Sequence, residues 1–316
     1  MLRRLLIATL TTCLAGAMAL TGATAGVAAD ADPFPIRTGP GDAIREPAPG
    51  TPRVVGGTPV PDGLYPFQAA LLYEPGGTND FQRQFCGGSL ITPTQVLTAA
   101  HCVEFFGTGP AQLPLRELRV VVGRTVLSST EGQKRRVSSV EIHPGWDSAT
   151  FSYDAAVITL AAPITGIRPV SVVTPGTDAL ERPGTTLTVT GWGNTVAQPA
   201  GPGGGGINQP DRMRQAGVPV VSAPDCRTAY ATAGAPINST MLCAGRTNLD
   251  TCQGDSGGPL FVKAVGSPGY IQVGVTSWGI GCGATGFPGV YTRLSNRWIG
   301  NFVLRTTGGV PVRAAA

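Results

Sequence analysis

An all-β fold, barrel or sandwich, is what residues 54–304 predict, and three observations predict it. Apolar residues recur in short runs of alternating character, turn-forming residues punctuate those runs, and a single helical pattern appears, at the end. The runs are "LRVVVGR" (118–124), "RVSSVEIHP" (136–144), "AAVITL" (155–160), "TLTVTGWG" (186–193), "GVPVVS" (217–222), "PLFVKAV" (259–265) and "IQVGVTSWG" (271–279). Alternation at period two sends every second side chain to one face, which suits a strand buried on one side. The helical pattern is "SNRWIGNFVLR", with Ser295 as N-cap and Trp298, Ile299, Phe302 and Val303 on one face. Residues 305–316 read as a C-terminal tail, loose from residue 306.

The other end of the chain has a different character. Residues 1–29 carry two arginines and then an apolar run that fades into small residues, the layout of a secretory signal peptide with cleavage after Ala29 or Ala31. Residues 30–53 are rich in Pro, Gly and charge, cannot bury much apolar surface, and read as a disordered pro-segment. No other stretch is long and apolar enough to span a bilayer as a helix, so the mature form is expected to be secreted, extracellular and free of the membrane. About 260 residues remain, enough for a core split between two lobes. A net charge of +4 without a basic stripe gives no case for nucleic acid. Leaving aside Cys13 in the leader, six cysteines remain, and an even count in an exported chain points to disulfides. Six cysteines allow fifteen pairings, and spacing alone does not choose among them. Two lysines against many arginines, with abundant Ala, Gly and Pro, suggest a bacterium with a GC-rich genome.

The stretch "DTCQGDSGGP" (250–259) holds the densest chemistry. Asp255 directly precedes Ser256, a poor place for a general base because adjacent side chains point apart. Asp250 and Asp255 are therefore expected to do different work. The chain has only two histidines: His101 in "LTAAHCVE", and His143 in "EIHPGW", at a strand end before a proline, where it reads as structural. The Gly-rich segment "AQPAGPGGGGINQP" (197–210) lacks the Lys-Ser or Lys-Thr that would finish a phosphate cradle and reads as a flexible surface loop. Lys134, Arg135 and Arg136 read as a solvated strand face.

The segments "RVVGG", "LTAAHC", "YDAAVITL", "GWG", "MLCAG", "DTCQGDSGGP" and "VTSWGIGC…PGVYTR" occur in the order found in the chymotrypsin-like serine proteases, and the chain most resembles their trypsin branch over residues 54–304. The resemblance implies two antiparallel Greek-key barrels with a C-terminal helix and an active site in the cleft between them. It implies a catalytic triad of His101, Asp154 and Ser256, with the N–H groups of Gly254 and Ser256 as the oxyanion hole. Asp250 would form the floor of the primary specificity pocket, and Gly279 and Gly289 would leave it open to a long cationic side chain. Thr251, Gln253, Ser277 and Trp278 would complete the substrate-binding set, the last two pairing with substrate backbone as an added strand. The disulfides implied are Cys86–Cys102, Cys226–Cys243 and Cys252–Cys282. Cleavage after Arg53 would free the α-amino group of Val54 to pair with Asp255, making the chain a zymogen.

The enzyme so implied is a monomeric endopeptidase that cuts proteins or peptides after Arg or Lys and needs no cofactor. A catalytically inactive binding protein on the same fold is the alternative, disfavoured because all three triad positions are filled. The chain also departs from its family. Many relatives hold calcium in the loop after the "VVVG" strand, where this chain carries Arg124 and Lys134, with only Glu131 as a candidate ligand. The segment "EFFGTGPAQLPLREL" (104–118) is longer than expected after the histidine, and Phe151 is expected to crowd the neighbouring subsite and favour small residues there.

Overall fold

The computed structural model describes residues 55–107, 109, 112–200, 206–309 and 312–313. The signal peptide and pro-segment expected at 1–53, and with them Arg53 and Val54, lie outside the described residues.

Six strands form the first barrel: β1 (Gln68–Tyr73), β2 (Gln84–Thr92), β3 (Gln95–Thr98), β4 (Leu118–Val122), β5 (Gln133–Ile142) and β6 (Ala156–Leu160). They close in the order β1-β2-β3-β6-β5-β4, with every pairing antiparallel. The second barrel repeats the plan with β7 (Thr186–Gly191), β8 (Arg214–Val221), β9 (Met241–Ala244), β10 (Pro259–Lys263), β11 (Tyr270–Trp278) and β12 (Gly289–Arg293). Its order is β7-β8-β9-β12-β11-β10, and β10 pairs with both β7 and β11 to close it. These are the two antiparallel barrels expected from the resemblance.

Each barrel is filled by its own branched side chains. Leu71, Leu90, Leu97, Val120 and Ile158 are fully buried in the first; Leu187, Val189, Val218, Leu260 and Val273 are fully buried in the second. Each such side chain contributes about 1.5–3 kcal/mol of hydrophobic stabilisation. β8 alternates strictly between buried and more exposed positions, as a strand with one covered face should. β1 and β2 do not alternate, because both their faces are covered. Their polar residues meet the second barrel: the Thr190 hydroxyl donates to Gln68 Oε1 at 2.7 Å, and the Ser89 hydroxyl to Gln272 Oε1 at 2.6 Å. All four residues are buried, so the two barrels are joined by buried side-chain hydrogen bonds whose loss would be costly, although Gln68 Nε2 itself has no partner among the described residues.

Three disulfides, Cys86–Cys102, Cys226–Cys243 and Cys252–Cys282, brace the loops. Each typically stabilises by about 2–4 kcal/mol. Helix α1 (Asp80–Arg83) is a single turn, and α2 (Ala223–Ala231), capped by Ser222, carries Cys226 to its bridge with β9. Helix α3 runs from Arg297 to Thr307 and ends in Gly308 at φ +67°.

Two details of α3 differ from expectation. Asn296, one residue after Ser295, is the cap, accepting from the N–H of Trp298 at 3.0 Å and of Ile299 at 3.4 Å. Trp298 is 68% exposed, while Ile299, Phe302 and Val303 are buried. A Cβ at Gly300 would stand 2.6 Å from Pro175, so the helix presses on Pro175 there, and that contact turns Trp298 outward. Beyond the helix, Val312 and Arg313 pair in parallel with Val172 and Val173, so that part of the tail is attached where a loose segment was expected.

Candidate active site

His101 and Asp154 stand at the ends of neighbouring strands of the first barrel. His101 follows β3 in a tight turn, where the N–H groups of Val103 and Glu104 both bond the Ala100 carbonyl at 2.9 Å. The Cys86–Cys102 bridge ties that turn to β2. Asp154 precedes β6 and is 1% exposed. Its carboxylate accepts from the His101 backbone N–H at 3.0 Å and lies 2.8 Å from His101 Nδ1. A carboxylate only accepts, so Nδ1 carries the proton and Nε2 is left with its lone pair. The second barrel completes the grip: Ser277 donates its hydroxyl to Asp154 Oδ2, and Thr292 donates to the Asp154 carbonyl, each at 2.5 Å. Burial alone would lower the imidazole's pKa. The Asp154 charge and hydrogen bond outweigh that, Glu104 adds to them, and the net shift is upward from the usual 6.5.

Ser256 lies in the loop between β9 and β10, flanked by Gly254 at φ +96° and Gly257 at φ +79°. Left-handed backbone of this kind strains any residue with a Cβ, which is why glycines bracket the serine. The loop is sewn to the first barrel by the Gly87 N–H to the Ser256 carbonyl at 2.7 Å and by Gln84 Nε2 to the Gly254 carbonyl at 2.9 Å. Ser256 and His101 line one cavity of about 270 Å³, together with Asp250, Thr251, Gln253, Ser277, Trp278, Gly279, Gly289 and Phe151. Every substrate-binding position expected from sequence is therefore in one place, with Asp154 behind the histidine.

The two acids of "DTCQGDSGGP" stand in different surroundings. Asp250 is 2% exposed on the cavity wall; the Thr251 N–H reaches its Oδ1 at 2.8 Å and the Gly283 N–H its Oδ2 at 3.1 Å. Burial pushes its pKa up to about 7 against the pull of those two donors, and the nearby Asp255 charge adds to the rise. A Cβ on Gly289 would stand 2.3 Å from Asp250 Oδ1, so only glycine there leaves the carboxylate accessible. Asp255, 1% exposed, does not line the cavity. Its carboxylate accepts from the Gly193 N–H at 2.8 Å and the Cys252 N–H at 3.0 Å. A Cβ at Gly191 or Gly193 would come within 2.1 or 2.5 Å of that carboxylate, so the glycines of "GWG" make its room.

The remaining candidates sort plainly. His143 is buried outside the cavity, its ring stacked 4.7 Å from Tyr153 and its Nδ1 accepting from the Gly145 N–H at 3.0 Å. Arg124 and Lys134 both reach Asp80, at 2.7 and 2.8 Å, and Lys134 also meets Glu74 at 2.7 Å. Cations thus fill the position where calcium would need anions. The Gly-rich segment is anchored at Gln198, which exchanges two backbone hydrogen bonds of 3.0 Å with Cys282 in the cavity wall. Sequence reasoning missed Thr292 and the aspartate-holding role of Ser277. Neither carries a signal beyond a hydroxyl next to a strand motif.

The Trypsin family profile matches residues 54–299. The chain is 40% identical over 243 residues to a Trypsin of Saccharopolyspora erythraea, covering 76% of this chain and 93% of that protein. It is 37% identical over 249 residues to Trypsin 5G1 of Aedes aegypti (77% and 82% covered). It is 33% identical over 261 residues to Serine protease 1 of Rattus norvegicus (81% and 91% covered).

Proposed function

The chain belongs to the trypsin family of serine endopeptidases, and from that premise we propose that it is a secreted enzyme that cuts proteins or peptides after Arg or Lys, made as a zymogen activated by cleavage after Arg53. One juxtaposition carries the reading: a buried carboxylate, Asp250, shares a cavity with Ser256 and with a histidine held in one tautomer by Asp154.

His101 Nε2 takes the Ser256 proton as the hydroxyl attacks the scissile carbonyl. Asp154 stabilises the imidazolium that forms, with Ser277 and Thr292 keeping it in place. The Gly254 and Ser256 N–H groups receive the oxyanion; a donor of this kind is worth about 100- to 1,000-fold in rate. His101 then returns the proton to the leaving amine, and water repeats the sequence on the acyl-enzyme. Asp250 selects the cationic side chain, because a neutral one leaves the buried charge unpaired. Asp255, enclosed by Gly193 and Cys252, is the partner for the Val54 ammonium; its loop runs directly into Gly254, so pairing there orders the oxyanion hole.

The test is kinetics on Arg-, Lys- and Phe-terminated chromogenic peptides before and after a trace of trypsin, with N-terminal sequencing of the same samples. Arg and Lys turnover should rise only as a "VVGG" terminus appears. Protein with that terminus that cleaves none of the peptides would overturn the proposal.

A further inference from the structure

The long segment after His101 and the loop before Asp154 meet in a contact that the reaction itself does not use. Glu104, half-buried three residues after the histidine, accepts a hydrogen bond from the Trp146 indole N–H at 2.8 Å. The Trp146 ring stands edge-on to Phe151, with centroids 5.5 Å apart at 85°. Phe151 in turn faces the His101 ring at 5.7 Å and the Trp278 ring at 6.2 Å, across the cavity that all three line. Phe151 sits at φ +54°, a backbone conformation that penalises a bulky side chain and persists only where the surroundings over-determine it. The surroundings here do so from both sides. Asp147 and Ser152 pair as an antiparallel bridge that closes the loop, and Trp146 props the ring from outside.

We propose that Glu104 and Trp146 are positioning residues that set the enzyme's choice of the substrate residue preceding the cleaved Arg or Lys, by holding Phe151 over the cavity mouth beside His101. The inference rests on the function proposed above and deepens it. Phe151 fills space next to the histidine, so a substrate bearing Gly in that position fits, while one bearing Leu must displace the ring. Displacement is opposed by the indole, and the indole is fixed by the Glu104 carboxylate. Glu104 also contributes to the upward shift of His101, whose other charged neighbour is Asp154. Removing the charge while keeping the acceptor therefore separates the two effects.

The experiment measures kcat/KM across pH on two chromogenic peptides, ending Gly-Arg and Leu-Arg, with activated wild type, Trp146→Ala, Trp146→Phe and Glu104→Gln. Wild type should prefer Gly-Arg by about tenfold, the scale on which packing in an apolar subsite discriminates. Trp146→Ala should bring the two peptides near parity by raising Leu-Arg turnover, and Trp146→Phe, which keeps a ring but frees Glu104, should fall between. Glu104→Gln, whose amide oxygen still accepts from the indole, should keep the preference and shift the acid limb of both peptides to lower pH. Wild-type ratios in both Trp146 variants, or equal losses on both peptides, would overturn the inference, as would a Glu104→Gln variant that loses the preference. A wild-type enzyme that turns over neither Arg peptide would overturn the functional reading, and this inference with it.

Discussion

The two barrels have the same strand order and the same pairing, yet they bring opposite things to the site. The first supplies the histidine and its aspartate, and its outlying charges are spent on itself: Arg124 and Lys134 close on Asp80 and Glu74. The second supplies the serine, the cavity wall and two carboxylates, Asp250 and Asp255, that meet backbone N–H groups. Neither half is complete. Asp154 belongs to the first by sequence, but Ser277 and Thr292 of the second hold it in place. A shared topology therefore says nothing about which barrel carries which chemistry. That is decided by the loops and by the polar seam.

The largest way to break this division is to empty the second barrel's pocket. Asp250→Ser should lower kcat/KM on Arg peptides by about 10⁴-fold, the scale on which loss of a specific polar partner discriminates, with Phe peptides unaffected or improved. The same panel of chromogenic peptides reads both. Next comes the seam. Ser277→Ala combined with Thr292→Val removes both hydroxyls that reach Asp154, and at about 1 kcal/mol for each bond should cost about tenfold to a hundredfold in kcat with little change in KM. Loss in KM alone would place those hydroxyls with substrate and not with the aspartate.

Protonation sharpens the contrast, because each barrel has its own titrating group. His101 is shifted upward, so the acid limb of kcat/KM should lie above 6.5. Asp250 titrates near 7 in the empty pocket, so affinity for benzamidine, a small cation that needs no histidine, should fall by up to about tenfold per pH unit below that. Calorimetric titration of benzamidine against pH isolates the second barrel, and an affinity flat from pH 8 to about 5 would refute the raised pKa of Asp250. The smallest effect on catalysis lies farthest away. Asp80→Asn leaves the buried Arg124 with carbonyl partners alone and should cost about 1–3 kcal/mol of stability, read as a lower Tm, with activity at 25 °C unchanged.

How much was legible in the chain follows from the same geometry. β4, β5, β6, β7, β8, β10 and β11 announce themselves by β-branched or alternating residues. β1, β2, β3, β9 and β12 do not: "QAALLY" and "QFCGGSLIT" are buried on both faces, so no period-two signal survives. α2 passed unseen because nine residues beginning Ala-Pro-Asp carry little amphipathic pattern. The site positions were legible through the resemblance of short motifs to the trypsin branch, and the loops that carry those motifs have little conformational freedom. Gly193 and Gly289 are the examples, each excluded from bearing a side chain by a carboxylate oxygen. What stayed hidden were contacts between distant segments, such as Thr292 with Asp154 and Glu104 with Trp146, since no local pattern encodes a partner more than forty residues away.

The enclosed Asp250 also governs how the protein keeps. Its folded pKa lies above the unfolded value, so the unfolded chain binds fewer protons between about pH 4 and 7, and folding stability falls as pH rises through that window. At neutral pH the empty pocket is a weak point that a bound cation relieves. In mild acid the carboxyl is neutral, the weakness disappears, and His101 is charged and unable to accept a proton. With the specificity proposed above, a chain this rich in arginine would be its own substrate in solution. A mildly acidic buffer should therefore act twice over, by removing this weak point and by slowing self-digestion.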